Sequence, residues 1–195
     1  MSLWKKLFGT PAPPEDRDLD AYAAVSTSAE TRRVEALVAK GVRVPAAAVA
    51  EGLSGVRWPG RLQVVGEAPR FIVDGAHNAD SARRLVAAIR DYFGYERLFW
   101  IVGASADKDI AGICRELAAL PSVVIVTRSR HPRATDPAVL EAEFSKWGLR
   151  AQVAPDVPAA MARALSQAGP GDLICAAGSL FVVAEVLEDR GRSVF

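Results

Sequence analysis

The sequence predicts an α/β fold, a mainly parallel sheet with helices on both faces. Two observations predict it. Short apolar, β-branched runs alternate with helical stretches from residue 61 onward, the order of a parallel sheet joined by crossover helices. The runs are also continuous rather than alternating, as in FIVD and LFWIV, which is the pattern of strands covered on both faces.

Each element has its own signal. Residues 61–65 and 70–73 read as the first strands. Residues 79–93 carry apolar side chains at helical spacing and are predicted as a helix. LFWIV (98–102), VVIVT (123–127), AQVA (151–154) and LICAA (173–177) are the remaining strands. Helices are predicted near 109–119, 137–146, 157–168 and 180–189. Upstream, Val34 to Ala39 reads as a helix end closed by Gly41, and Pro45 opens another helix at its first turn. Residues 10–20, TPAPPEDRDLD, read as a flexible linker. We therefore expect an extension or linker over 1–33 and one α/β domain over 34–195.

Composition narrows the function classes. There are 24 basic and 23 acidic residues, for a net charge of +1, which does not suggest a nucleic-acid partner. No apolar run reaches membrane-spanning length. The first nine residues are too short and interrupted for a signal peptide, so a cytoplasmic location is expected. The two cysteines, Cys114 and Cys175, sit in apolar surroundings and read as buried free thiols. They make no zinc-ligand spacing with the two histidines, and no metal site is expected. There is no G-x-x-x-x-G-K-[ST], no G-x-G-x-x-G after the first strand and no G-x-S-x-G. A P-loop enzyme, a dinucleotide dehydrogenase and an α/β-hydrolase are therefore poorly supported.

The chemistry is expected where such sheets bind ligands, outside the carboxyl ends of the strands. Asp74-Gly75-Ala76-His77-Asn78 places a carboxylate, an imidazole and an amide between a strand and a helix start, which suits anions. Asn78, the only asparagine, sits where an N-cap belongs. The plain alternative is a capped turn with no ligand. The next turns supply Ser105, Asp107, Lys108 and Asp109, then Arg128, Arg130, His131 and Arg133, then Asp156, then Gly178 and Ser179. Both histidines fall on this one edge. Asp107-Lys108-Asp109 reads either as a solvated helix start with an N-cap or as part of the site, and Gly178-Ser179 as a helix N-cap. The three arginines are either an exposed loop or a set that takes its counter-charge from a phosphate or carboxylate ligand. Trp100 and Trp147 read as core or partly buried packing residues.

Four blocks in order carry a family resemblance: WPGRLQVV (58–65), VDGAHNADSARRL (73–85), GASADKD (103–109) and GSLFVVAEVL (178–187). They resemble the C-terminal domain of folylpolyglutamate synthase/dihydrofolate synthase, in the Mur ligase superfamily, from about Val34 to Leu187. The resemblance implies a Rossmann-like domain and a role in folate biosynthesis and one-carbon metabolism through polyglutamylation. It implies ATP-dependent addition of L-glutamate to folate or dihydropteroate. ATP phosphorylates a substrate carboxylate, and the glutamate amine attacks the acyl phosphate to leave an amide and phosphate. Carried over residue by residue, Arg61, Asp74, His77 and Asn78 would approach the nucleotide, with Asp74 and His77 as the catalytic pair. Lys108, Arg133 and Ser179 would bind the incoming glutamate. The family's P-loop domain, which holds most of the Mg²⁺ and folate site, has no counterpart in residues 1–33. The expectation is half an active site, inactive alone and completed by a P-loop ligase domain, either on another chain or in a longer ligase of which this chain is a truncated or rearranged product. The alternatives are a non-catalytic nucleotide- or glutamate-binding module of the same fold, and an unrelated nucleotide-binding α/β protein.

Overall fold

Six strands form one sheet: β1 (Gln63–Glu67), β2 (Arg70–Val73), β3 (Leu98–Val102), β4 (Val123–Val126), β5 (Ala151–Val153) and β6 (Leu173–Ala177). The structure is a computed structural model, and residues 36–43, 45, 48 and 58–191 are described. The expectations for residues 1–33 and for most of the helix opened by Pro45 lie outside the described residues. The chain divides into two units, Met1–Trp58 and Pro59–Phe195. In the first, residues 36–39 are helical and Gly41 follows at φ +80°. Val42 N–H donates to the Leu37 carbonyl at 3.0 Å, so this segment closes on glycine as expected.

The second unit holds the sheet, in the order β1-β2-β6-β3-β4-β5. Only β1–β2 is antiparallel; β2–β6, β6–β3, β3–β4 and β4–β5 are parallel. Five helices connect or follow the strands: α1 (Ala79–Tyr92), α2 (Ile110–Leu117), α3 (Pro137–Ser145), α4 (Val157–Gln167) and α5 (Leu180–Asp189). The chain runs through β2, β3, β4 and β5 and then returns to insert β6 between β2 and β3. That insertion brings the carboxyl ends of β2, β6 and β3 side by side, the switch point where such sheets bind ligands.

Burial follows the period of each element. In α1, Ala82, Leu85, Val86 and Ile89 are buried, one stripe at i, i+3, i+4 and i+7. α1 packs on α2 and α2 on α3, while α4 packs on α5. Phe71, Val73, Phe99, Ile101, Ile125, Ile174 and Ala176 form one core with Val157, Met161, Val182 and Val186 of α4 and α5. Every residue of β3 and β6 is buried, which explains why these strands read as unbroken apolar runs. Fully burying side chains of this kind stabilises the fold by about 1.5–3 kcal/mol each. Cys114 and Cys175 are free and buried. Trp100 is fully buried, but Trp147 is 51% exposed; it follows the last turn of α3, beyond the reach of the core. Among the described residues no helix is long and apolar enough to cross a membrane.

Most element bounds match the expected ones to within two residues. The first strand is the informative difference. It begins at Gln63, not at residue 61. Gly60 and Leu62 both have left-handed backbone, at φ +73° and +44°. A strand cannot start until that turn has ended.

Candidate functional site

The turn after β2 is built by its own backbone. Asp74 N–H continues the ladder to the Ala176 carbonyl at 3.0 Å, and Gly178 N–H donates to the Ala76 carbonyl at 2.8 Å. The turn is thus tied to both ends of the β6 exit. Asn78 then caps α1. Its Oδ1 accepts from Ser81 N–H at 2.9 Å, and Ser81 Oγ accepts from Asn78 N–H at 3.1 Å. This reciprocal pair is a capping box. The expected cap is present, and it occupies the Asn78 side-chain oxygen.

Asp74 joins two segments. Its Oδ2 accepts from Leu62 N–H at 2.9 Å and its Oδ1 from Ala76 N–H at 2.8 Å. Both oxygens therefore hold backbone, one in each turn. Gly75 N–H adds a bond to the Gly60 carbonyl at 2.8 Å. The strained Leu62, 3% exposed, is kept left-handed by this latch. Its neighbour Arg61 is laid across Gly75. A Cβ on Gly75 would sit 2.7 Å from Arg61 Nη1 and 2.5 Å from Leu180 Cδ2. Glycine here makes room for a guanidinium. Burial pushes the Asp74 carboxyl above its ordinary range, against the pull of the Leu62 and Ala76 amides and of the nearby Arg61 and His77. His77 Nδ1 faces the Gly75 carbonyl at 2.8 Å. Only a protonated Nδ1 can donate there, so Nε2 of the half-buried ring remains available.

A second cluster forms after β3 and β4. The Ala106 N–H donates to the Arg133 carbonyl at 2.8 Å, and Thr135 N–H to the Ala104 carbonyl at 2.9 Å. Ser105 and Ala134 form a bridge. These bonds zip the two turns together. As a result Lys108 Nζ and Arg133 Nη1 approach one carboxylate, Asp107 Oδ2, at 3.1 and 3.8 Å. The Lys108 hydrogen bond holds the Asp107 carboxyl below its usual range, with Arg133 adding to the effect. Of Asp107, Lys108 and Asp109, it is Asp109 that caps α2, through Gly112 N–H at 2.9 Å. Thr127 and Thr135, buried nearby, have hydroxyls without a hydrogen-bond partner.

The start of α5 stands between the clusters. Leu180 packs toward Gly75, and Phe181 stacks on His131 with ring centroids 3.7 Å apart. Ser179, 5% exposed, is the N-cap and accepts from Phe181 N–H at 3.2 Å. Gly178 is left-handed at φ +95°, and a Cβ there would sit 2.5 Å from the Gly103 carbonyl oxygen. No other residue fits that crossing without moving backbone.

Arg61, Asp74, His77 and Asn78 are thus brought together, as are Lys108 and Arg133. Ser179 lies on the helix between them with its hydroxyl engaged in a cap. The arginine loop differs in part from the expectation. Arg130 needs no ligand for its counter-charge: its N–H donates to Glu185 Oε1 at 2.7 Å, and its guanidinium pairs with Glu188 and Glu185. Arg128 is exposed. Sequence reading missed Leu62, Glu185 and Phe181. Phe181, Glu185 and Glu188 at i, i+4 and i+7 of a helix were the available signal for the last two. Among the described residues no group of three or more His, Cys, Asp or Glu could hold a metal ion.

Comparison with known proteins points to one family. The family model described as Mur ligase, glutamate ligase domain, matches residues 60–180. A probable bifunctional folylpolyglutamate synthase/dihydropteroate synthase of Haloferax volcanii is 36% identical over 154 residues, covering 77% of this chain and 18% of that protein. The dihydrofolate synthase/folylpolyglutamate synthase of Escherichia coli K12 is 34% identical over 163 residues, covering 81% of this chain and 37% of that protein. The structure of E. coli FolC in complex with DHPP and ADP superposes with a TM-score of 0.73 at 28% identity, covering 95% of this chain and 42% of that one. The chain therefore spans well under half the length of these relatives. The family model covers more than half of the chain, and this chain belongs to the Mur ligase glutamate ligase domain family, with its sheet similar to that of the folylpolyglutamate synthase/dihydrofolate synthase structures.

Proposed function

We propose that this chain supplies the nucleotide-facing and glutamate-facing edge of an ATP-dependent ligase that joins L-glutamate to a folate or dihydropteroate carboxylate. The observation that carries this reading is the guanidinium of Arg61 held across Gly75, beside Asp74 and His77 at the start of α1. An arginine lying over the turn, an imidazole whose Nε2 is not the atom engaged by the Gly75 carbonyl and a helix N-terminus are suited to polyphosphate oxygens and to charge that builds during phosphoryl transfer. In this reading Arg61 neutralises phosphate charge. His77 offers Nε2 to a phosphate oxygen or a proton in transit. Asn78 closes the helix start against which the anion lies. Asp74 orients Arg61 through the Leu62 amide.

Lys108 and Arg133 are the proposed grip on the incoming glutamate, each able to give up part of its pairing to Asp107. Both are exposed, so these ion pairs are cheap to exchange. Ser179 contributes by setting the start of α5 between the two clusters. The amine of glutamate would then be held near an acyl phosphate formed on the pterin substrate. Positioning of this kind is the main contribution of a domain that makes no covalent bond itself.

The sequence has no P-loop, so the phosphate cradle and Mg²⁺ ligands must come from residues outside these 195. The test is reconstitution. The chain is mixed with the P-loop portion of the E. coli relative, and glutamate-dependent release of phosphate from ATP is followed with dihydropteroate as acceptor. Release that needs both parts and is lost with His77→Ala is the expected result. Release by the chain alone would overturn the half-site reading.

A further inference from the structure

The loop that carries Arg133 is held from α5. Glu185 is buried at 8% exposure, an unusual place for a carboxylate unless it is paired. Its Oε1 accepts from the backbone N–H of Arg130 at 2.7 Å and lies 3.5 Å from that residue's Nε. Glu188, one turn on, pairs with the same guanidinium. Phe181, one turn earlier, stacks on His131. The His131 Nδ1 in turn accepts from Arg133 N–H at 3.2 Å. One stripe of α5 thus fixes residues 130 and 131, and the His131 ring passes the constraint to residue 133. At its far side the loop is bonded to the β3 turn, through Ala106 N–H to the Arg133 carbonyl.

We infer that Glu185 is a positioning residue for glutamate binding: by pinning the Arg130 backbone from α5, it sets where Arg133 stands beside Lys108. The inference rests on the reading of Lys108 and Arg133 as the glutamate grip. It gives two of the loop arginines different jobs. Arg130 is a strut, its charge paired with Glu185 and Glu188. Among the described residues the Arg133 guanidinium pairs with Asp107 alone, at 3.8 Å, a loose contact that a ligand carboxylate can replace. Glu185 touches no substrate in this scheme; its effect passes through backbone. Glutamine at 185 keeps an oxygen for the Arg130 amide, whereas alanine leaves that amide without its acceptor.

The test uses the whole chain, labelled with ¹⁵N, and L-glutamate as the probe. Hydrogen exchange at Ala106 and the L-glutamate affinity read from the Lys108 and Arg133 side-chain signals are measured for the unaltered chain, Glu185→Ala, Glu185→Gln and Arg133→Ala. In Glu185→Ala, Ala106 is expected to exchange faster, and affinity to fall about tenfold, equivalent to about 1.4 kcal/mol. Glu185→Gln is expected to restore most of both. A lower melting temperature in Glu185→Ala with unchanged Ala106 exchange and unchanged affinity would overturn the positioning role. If Arg133→Ala binds L-glutamate as well as the unaltered chain, or the unaltered chain gives no saturable response, the glutamate reading itself fails. Loss in Arg133→Ala without loss in Glu185→Ala removes only the role given to Glu185.

Discussion

Two aspartates brace opposite ends of the sheet. At the amino end, before β6, Asp172 is 2% exposed and accepts from Arg97 N–H at 3.0 Å, Gly169 N–H at 2.7 Å and the Arg97 guanidinium at 2.6 Å. Arg97 in turn lies over the Phe99 ring, 5.2 Å from its centroid. The Arg97 hydrogen bond holds the Asp172 carboxyl below its ordinary range, despite burial. At the carboxyl end, Asp74 also holds two backbone amides, yet burial dominates and its carboxyl is pushed up. Both side chains tie loop to sheet. One has a guanidinium docked on it by direct hydrogen bonds; the other has Arg61 beside it, with both its oxygens taken by amides. In the proposed reading, the aspartate that its fold does not fully compensate, next to an arginine and an imidazole, stands at the end that takes the charged ligand. A fully compensated one marks a structural clamp.

The largest expected effect is on the clamp. Asp172→Ala leaves the Arg97 and Gly169 amides without their acceptor, and we expect a loss of about 2–4 kcal/mol in chemical denaturation. Because the folded-state carboxyl is lowered, its stabilisation is present above the ordinary carboxylate pKa of about 3.9 and is lost as pH falls through the folded value. The gap between the unaltered chain and the variant should therefore widen as pH rises through that range. A gap that stays constant with pH would remove the charge from the explanation.

Next is Gly75→Ala. The added Cβ must displace Leu180 or Arg61, and overpacking of this kind costs about 1–3 kcal/mol. A crystal structure of the variant should show Arg61 moved off the β2 turn. An unmoved Arg61 would mean that glycine is not what seats it.

Asp74→Asn should cost less, about 1 kcal/mol for one lost backbone hydrogen bond. Its pH dependence should run opposite to that of the clamp. A raised folded-state pKa means that the folded chain binds more protons than the unfolded one above about pH 3.9, so stability falls as pH rises through the folded value. Asparagine lacks that slope, and the gap should narrow with rising pH. Denaturation curves at four or five pH values would decide; parallel slopes for the two aspartate variants would erase the contrast.

The smallest effect on stability is expected for His77→Ala, within about 0.5 kcal/mol for a half-buried surface side chain. The same variant should lose phosphate release in the reconstituted ligase. A large fall in melting temperature would return His77 to a structural role.

How far the sequence carried the account follows from distance along the chain. β3, β4 and β6 were legible because strands buried on both faces need unbroken apolar runs. The caps at Asn78, Asp109 and Ser179 were legible because a cap is decided within three residues. Leu62 was not, since a left-handed leucine has no local signature; it is held by Asp74, 12 residues away. The pairing of Arg130 with Glu185 spans 55 residues, which is why its counter-charge read as a ligand's. The clustering of both histidines on one edge was readable from strand order, but the tautomer of His77 needed the Gly75 carbonyl.

The most direct test of the contrast between the two ends is a titration of the ¹⁵N-labelled chain with ADP. The account predicts saturable shifts at Arg61, Ala76, His77 and Asn78, with Arg97, Gly169 and Asp172 unmoved. Shifts spread evenly over both ends, or none at the β2 turn at saturating ADP, would contradict the assignment of nucleotide binding to the carboxyl edge.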